Sequence, residues 1–183
     1  MTTDPQRCGW LSSAQAVPSP NFDARPLHTS IDLLVIHAIS LPPGLFGGPY
    51  IEELFTNRLA VDAHPYFATL DGLRVSAHFL IRRDGRLMQF VDVFARAWHA
   101  GESFWQGRRR CNDFSVGVEL EGCDEQLFAD VQYTSLVGLL GELFELLPAL
   151  SVDRLVGHSD IAPTRKSDPG PHFDWDRVRQ MLS

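Results

Sequence analysis

The amino-acid sequence predicts a single α/β domain, of the α+β kind, in which a central mixed β-sheet is flanked by helices. The length of 183 residues suits one domain with its own core. Short apolar runs typical of buried strands alternate with stretches of helical periodicity, and one Asp-Gly pair between two such runs indicates an antiparallel hairpin. Because the alternation is irregular, a mixed sheet is favoured over a purely parallel one.

The first predicted strand ends at a histidine. Residues 1–30 are rich in Pro, Ser, Asp and Arg without periodicity, and we expect an irregular arm that packs on the domain formed by residues 31–183. Residues 32–36 (DLLVI) then predict a buried strand that ends at His37. Open α/β sheets bind ligands where their strands end, which makes His37 a candidate functional residue.

A helix and a hairpin are predicted next. Apolar residues at positions 51, 54, 55 and 59 share one helical face, so a short helix is expected from residue 50 to about 59. Residues 76–82 and 86–91 are expected to pair as antiparallel strands around Asp84-Gly85, in a two-residue turn with positive φ at both positions.

The segment 114–120 (FSVGVEL) alternates between apolar and small or polar residues, as a strand with two different faces does. Phe114 and the valines are assigned to one face. Glu119 shares the other face with Ser115 and Gly117, whose small size leaves room for a cleft.

The last third of the chain predicts two helices and a strand. Residues 132–147 carry leucines at helical spacing, with Asp130 as the expected N-cap and Pro148 ending the pattern. Residues 154–156 predict a short strand that leads into Gly157-His158, and a final helix is expected from about 174 to 182.

Composition excludes some classes of partner. The formal net charge of −7 argues against nonspecific binding to nucleic acid or to an anionic membrane. The basic run Arg108–Arg110 is a local exception, either a contact for an anionic small substrate or a solvated loop. No feature indicates an obligate protein partner.

The cysteines and the N-terminal sequence predict a compartment. Cys8, Cys111 and Cys123 are odd in number and lack CxxC spacing, which favours neither a disulfide framework nor a cysteine zinc site. No signal-peptide pattern and no run of about 18 apolar residues is visible. We therefore expect a cytoplasmic protein.

Two of the seven histidines are better placed for metal binding than the others. His37 and His158 each follow a predicted buried strand, which would bring both imidazoles to one edge of the sheet. Two histidines, one carboxylate and an open position for water form an established zinc set. Asp168, in a proline-rich loop, and Asp160 are both candidates for the third ligand, and spacing leaves the choice open.

Six segments together resemble a known family. Along nearly its whole length, the chain resembles the 1,6-anhydro-N-acetylmuramyl-L-alanine amidases called AmpD. These are type 2 amidases, which share a fold with T7 lysozyme and the peptidoglycan recognition proteins. The segments are GWLSSAQAVPSPNFDARP, LLVIHAISLPPGLFGG, VSAHFLIRRDGRLMQFV, RAWHAG, RCNDFSVGVELEG and LVGHSDIAPTRKSDPGPHFDW.

The resemblance implies a zinc-dependent amidase that cuts the bond between N-acetylmuramic acid and L-alanine in peptidoglycan fragments during cell-wall recycling. It implies that His37, His158 and Asp168 bind one zinc ion per chain. It also implies that Glu119 activates water and that Lys166 stabilises the oxyanion.

The implied substrate is a small muropeptide, and Arg74 and Arg110 match positions associated with its anionic groups. One position departs from the family pattern, because Ala38 stands where the first histidine ligand is usually followed by Asn. The resemblance therefore does not predict which contacts the substrate makes near position 38. A binding module without catalysis and a secreted amidase acting on intact cell wall are the competing hypotheses, and the retained ligand positions disfavour the first.

Overall fold

The computed structural model describes residues 9–182 of the chain. In this part, the strands are β1 (Gln15–Ala16), β2 (Phe22–Asp23), β3 (Leu33–Ile39), β4 (Phe79–Ile81), β5 (Leu87–Gln89), β6 (Arg96–Ala97), β7 (Phe104–Trp105), β8 (Arg108–Arg109), β9 (Ser115–Glu121) and β10 (Leu155–Gly157). The α-helices are α1 (Tyr50–Phe55), α2 (Asp130–Leu146), α3 (His158–Ile161) and α4 (Trp175–Leu182). Short 3₁₀ helices cover Pro65–Leu70, Cys111–Asp113 and Val152–Arg154.

The central sheet has six strands in the order β1-β5-β4-β9-β3-β10. Strands β4, β9, β3 and β10 run parallel to one another, whereas β5 is antiparallel to β4 and parallel to the edge strand β1. Strands β2 with β6 and β7 with β8 form separate antiparallel pairs. The predicted fold class, a mixed sheet flanked by helices, is confirmed.

Helices cover both faces of the sheet. On one face, apolar residues of β3, β4 and β9 pack against α2 and α4 in a core that includes Leu34, Ile36, Phe79, Val116, Val118, Leu136, Leu140 and Val178. On the other face, α1 packs over β4 and β5 through Ile51, Leu54, Phe55, Leu80, Met88 and Phe90. A smaller cluster beneath α3 contains Leu33, Val35, Cys111, Phe114, Val156 and Ile161. Each such side chain contributes about 1.5–3 kcal/mol through burial.

Two elements begin where predicted and end elsewhere. Strand β3 continues through His37 to Ile39, because its second half pairs with β9, a partner 80 residues away that local sequence does not reveal. Helix α1 stops at Phe55, and Asn57 in the next turn has a φ of 59°, a left-handed conformation that does not continue a helix.

The predicted hairpin is present, but the predicted two-residue turn is wrong. The amide of Arg82 donates to the carbonyl of Arg86 at 3.0 Å, so the loop contains three residues. The amide of Gly85 donates back to the carbonyl of Arg82 at 2.9 Å, and Gly85 has a φ of 82°. This is the three-residue hairpin in which glycine takes the left-handed position.

Two local predictions in the second half of the chain also need correction. Phe114 lies in the cluster beneath α3 rather than with the valines of β9, because the 3₁₀ helix Cys111–Asp113 turns the chain just before the strand. Asp130 is the first residue of α2, not its N-cap. The cap position is Ala129, whose amide donates to the side-chain carbonyl of Gln132 at 3.0 Å.

Residues 9–30 lie along the rest of the fold through two short strands. β1 adds to the sheet edge beside β5, and β2 pairs with β6. The division of the chain at residue 30 stays a prediction, and Cys8 lies outside the described residues. No helix within residues 9–182 has the length and apolar character needed to cross a bilayer.

Candidate active site and metal centre

Three parallel strands bring the predicted site residues to one edge of the sheet. Ile36 on β3 lies opposite Gly157 on β10, so the residues that follow, His37 and His158, are neighbours. On the other side of β3, His37 is paired with Glu119 of β9. All three side chains border one cleft.

Three ligand atoms converge at this edge. Nδ1 of His37 lies 2.9 Å from Nδ1 of His158, and Oδ2 of Asp168 lies 3.2 Å from the first nitrogen and 3.1 Å from the second. Both imidazoles are buried, and Asp168 is partly buried. Among the described residues, these three form a group able to hold a metal ion.

The second ring nitrogen of His158 shows which nitrogen carries the proton. Its Nε2 lies 3.2 Å from the carbonyl oxygen of Ala100, which can only accept a hydrogen bond. Nε2 therefore carries an N–H that donates to this carbonyl, and in a ring with that single N–H, Nδ1 presents a lone pair towards His37 and Asp168. A cation between this lone pair and the carboxylate of Asp168 would be attracted by both.

This donor set fits zinc. Two imidazole nitrogens and one carboxylate oxygen are a known catalytic zinc set, in which an open fourth position takes water. Bonds of roughly 2.0–2.1 Å in a tetrahedron place ligand atoms about 3.3 Å apart. The separations of 2.9–3.2 Å are close to that value.

The two candidate aspartates have different surroundings. The loop that carries Asp168 is fixed beside His158, because the amide of Ser159 donates to the backbone carbonyl of Asp168 at 2.9 Å. The carboxylate of Asp160 instead accepts the amide of Gly157 at 2.7 Å, at the start of α3. Asp160 is thus occupied by backbone, and Asp168 is the carboxylate beside the two histidines.

Burial controls the charges of the site. It lowers the pKa of His37 to about 4, although the hydrogen bond with Asp168 opposes the shift, so the ring is neutral at pH 7. Burial works against ionisation of Asp168 as well, but the two neighbouring imidazoles outweigh it and hold the pKa of that carboxyl below its ordinary value. Asp168 is therefore a carboxylate.

Glu119 has the opposite character. Burial and, to a smaller extent, the negative charge of Asp168 raise the pKa of Glu119 well above its ordinary value, with Lys166 opposing. Its Oε2 is buried and has no hydrogen-bond partner within residues 9–182. A carboxylate with a raised pKa and a free oxygen beside a cleft has the properties of a general base.

The cleft beside these residues has a volume of about 540 Å³. Lys166 is exposed and lines it, on the loop that also carries Asp168. Ala38 lines it as well. Side chains with large apolar surfaces also line the cleft, namely Leu41, Leu54, Phe55, Tyr66, Leu70 and Leu73.

Neither of the predicted substrate arginines is among the residues that line the cleft. Arg74 is exposed between Leu73 and Val75, which both line the cleft. Arg110 is exposed, lies 3.5 Å from a carboxylate oxygen of Asp113, and borders a second depression together with Arg109.

The side chain of Arg108, the first residue of the basic run, is held by contacts within the domain. Its guanidinium donates to Asp32 at 2.9 Å and lies 3.8 Å from the centre of the Phe114 ring.

Two further histidines lie next to the site, where His99 also lines the cleft, and the sequence did not single them out. Nδ1 of His99 lies 2.9 Å from Nε2 of His37, and the His78 ring is 5.8 Å from that of His99. A signal was available in β9, where Ser115 and Gly117 leave space on the face that carries Glu119.

The chain belongs to the N-acetylmuramoyl-L-alanine amidase family, whose model matches residues 27–171. The activity follows from this membership together with the relatives described next: the protein is an N-acetylmuramoyl-L-alanine amidase, a hydrolase that cuts an amide bond of peptidoglycan.

The resemblance to AmpD is confirmed by its relatives. The chain is 54% identical over 175 residues to the 1,6-anhydro-N-acetylmuramyl-L-alanine amidases AmpD of Citrobacter freundii and Escherichia coli (strain K12), covering 96% of this chain and 93% and 95% of those proteins. A crystal structure of a selenomethionine AmpD derivative superposes with a TM-score of 0.93 at 52% identity, covering 100% of both chains.

A more distant neighbour carries a ligand. The Escherichia coli amidase AmiD, in complex with anhydro-N-acetylmuramic acid-L-Ala-D-γ-Glu-L-Lys, superposes with a TM-score of 0.61 at 30% identity, covering 86% of this chain and 60% of that one.

Proposed function

We propose that this amidase acts on soluble peptidoglycan fragments that contain 1,6-anhydro-N-acetylmuramic acid, and that it depends on one zinc ion held by His37, His158 and Asp168. The observation that carries the proposal is the convergence of three ligand atoms within 3.2 Å of one another. The AmpD relatives are 1,6-anhydro-N-acetylmuramyl-L-alanine amidases, which supports the choice of sugar and of amide bond.

A zinc ion in such a site supplies Lewis acidity, which lowers the pKa of water and polarises a carbonyl. Glu119 is proposed to take the proton of the attacking water, since its raised pKa brings it nearer to neutral pH and one oxygen is free. It then returns that proton to the nitrogen of the leaving L-alanine. The products are the sugar and the free stem peptide.

Lys166 is proposed to stabilise the negative charge that develops on the carbonyl oxygen. It lines the cleft on the same loop as Asp168, and its ammonium lies close enough to oppose the shift in the pKa of Glu119. Preorganised charge of this kind supplies a large share of catalysis in acyl transfer.

Recognition of the substrate combines an apolar wall with charge. A bicyclic anhydro sugar lacks a free anomeric hydroxyl, so apolar side chains accept it without leaving a polar group unpaired. Arg74 and Arg110 are proposed to meet carboxylates of the stem peptide, for which guanidinium groups are suited. Ala38 lines the cleft where the family usually has an amide, so this part of the sugar contact differs.

The proposed compartment is the cytoplasm. Cys111 and Cys123 are both free thiols, which fits a reducing environment. Cell fractionation of the tagged full-length chain tests it, and recovery from an oxidising compartment would contradict it.

The decisive experiment combines metal content with turnover. Purified protein is expected to contain one zinc per chain, to lose cleavage of an anhydro-muropeptide after chelation and to recover it with zinc. A His172→Ala variant, altered at an exposed histidine outside the site, is the control. Full activity in zinc-free protein would refute zinc dependence.

The same assay tests the sugar. The value of kcat/KM is expected to be higher for an anhydro-muropeptide than for the matched reducing form. Equal values would refute the anhydro preference and leave the amidase activity intact.

A further inference from the structure

The nitrogen of His37 that points away from the metal cluster is the start of a hydrogen-bonded chain. Nε2 of His37 lies 2.9 Å from Nδ1 of His99, and Nε2 of His99 lies 3.2 Å from the hydroxyl of Ser115. That hydroxyl lies 2.6 Å from the carbonyl oxygen of Cys111. The chain therefore ends on a group that can only accept.

The end of the chain fixes the position of every proton in it. The single proton of the Ser115 hydroxyl goes to the carbonyl of Cys111, so the serine oxygen accepts from Nε2–H of His99. A neutral imidazole has one N–H, which leaves Nδ1 of His99 as an acceptor. Nε2–H of His37 must then donate to it, and Nδ1 of His37 keeps a lone pair on the side of His158 and Asp168.

The ring of His99 is held in the position that this chain requires. A Cβ atom at Gly117 would lie 2.4 Å from Cγ of His99, so only glycine at this position of β9 admits the ring. The backbone amide of His99 donates to the side-chain oxygen of Asn112 at 3.1 Å. Space and backbone orientation are thus both set for this one residue, which lines the cleft beside His37.

We propose that His99 is a positioning residue for the metal site, which accepts the Nε2 proton of His37 and thereby presents Nδ1 of His37 to the ion. The proposal rests on the proposed zinc site. A merely packing role for His99 would require bulk at this position but no acceptor atom, which gives the two alternatives different consequences.

The test compares His99→Leu with His99→Gln. Leucine keeps bulk without an acceptor, whereas the glutamine amide oxygen can accept from His37. We expect His99→Leu to weaken zinc affinity, measured by competition with a chromogenic chelator, by roughly 10- to 100-fold, the usual effect of removing a partner of a ligating histidine. His99→Gln is expected to retain more of the affinity, and His172→Leu, at an exposed site, to match the wild type.

A second readout does not depend on zinc. The ¹⁵N shifts of His37 in the metal-free full-length protein report its tautomer, and the Nε2–H form is expected in the wild type and in His99→Gln. In His99→Leu, the population of His37 tautomers should shift towards the Nδ1–H form. If that variant does not fold, Ser115→Ala, which removes the acceptor for His99, is expected to cause a smaller shift in the same direction.

Unchanged zinc affinity and unchanged His37 shifts in His99→Leu would overturn the proposal, as would a wild-type protein with His37 in the Nδ1–H form. A wild-type protein that binds no zinc but shows the Nε2–H tautomer would refute the proposed function and leave the orienting role of His99 standing.

Discussion

Replacement of Arg25 with methionine tests how strongly residues 9–30 are tied to the strands behind the active site. The Arg25 side chain is partly buried, and its guanidinium donates to four backbone carbonyls, those of Asn112, Asp113, Val93 and Ser115, at 2.9–3.1 Å. Burial lowers the pKa of Arg25 to about 10, partly opposed by Asp113, so the side chain remains a cation at neutral pH.

The expected loss of stability follows from these contacts. Each hydrogen bond contributes about 1 kcal/mol net, so the four lost bonds sum to about 4 kcal/mol. In the wild type, the cation is desolvated and its Nε has no hydrogen-bond partner in residues 9–182. Removing this cost offsets part of the loss of stability. We expect a decrease of about 2–4 kcal/mol in the free energy of unfolding, since the carbonyls left without a donor keep their desolvation cost. At about 2–4 °C per kcal/mol, Tm should fall by on the order of 10 °C.

Urea and thermal unfolding of Arg25→Met measure the effect, and Arg179→Met is the matched control. Arg179 is exposed and its ion pair with Asp176 is a surface contact, so that variant should change by less than about 0.5 kcal/mol. A loss below about 1 kcal/mol in Arg25→Met would contradict the reasoning, because the four carbonyls would then find other partners at little cost.

Four further variants test the proposed roles. Glu119→Gln should lower turnover by roughly 10²- to 10⁴-fold. The raised pKa of Glu119 means that its ionised form destabilises the folded state. In urea unfolding, metal-free Glu119→Gln should therefore be more stable than the wild type at pH 8 and equally stable below about pH 4, where the carboxyl is protonated in both the folded and the unfolded state. Equal stability of the two proteins at both pH values would argue against a destabilising carboxylate. Asp168→Ala should lose zinc in elemental analysis while Asp160→Ala keeps it, and the reverse would mean that Asp160 is the ligand. Lys166→Ala should lower kcat more than it raises KM, whereas a pure KM effect would make Lys166 a binding residue.

Part of this architecture could be predicted because the signals are local. Each buried strand and the long helix α2 has its own apolar pattern. The sequence therefore identified His37 and His158 beside two buried strands and assigned Glu119 to the face of Ser115 and Gly117. It placed the end of β3 at His37, whereas the strand continues to Ile39. The hairpin at Gly85 was likewise visible, but the turn type was not, since loop length depends on which strand residues pair.

Register and loop position could not be predicted in the same way. The pairing of His37 with Glu119 joins strands that are about 80 residues apart in sequence. The choice between Asp168 and Asp160 depends on one long-range contact, the amide of Ser159 donating to the Asp168 carbonyl. The spacing of residues in the sequence leaves both aspartates as candidates for the third ligand, because it contains no information on how the loop folds back.

The two histidine ligands differ in what fixes their tautomers, although the fixing groups are consecutive in sequence. Nε2 of His158 donates to the backbone carbonyl of Ala100, which survives any change of side chain at that position. Nε2 of His37 meets a side chain, His99. The side-chain oxygen of Asn112 accepts from the amides of both residues, at 3.1 and 2.8 Å, and the Asn112 backbone carbonyl in turn accepts from Arg25. One two-residue segment therefore orients both imidazoles, and the N-terminal arm supports that segment from behind. Because a carbonyl partner cannot be removed by substitution whereas an imidazole partner can, we expect sequence changes away from the proposed ligands to alter zinc affinity on the His37 side of the proposed site.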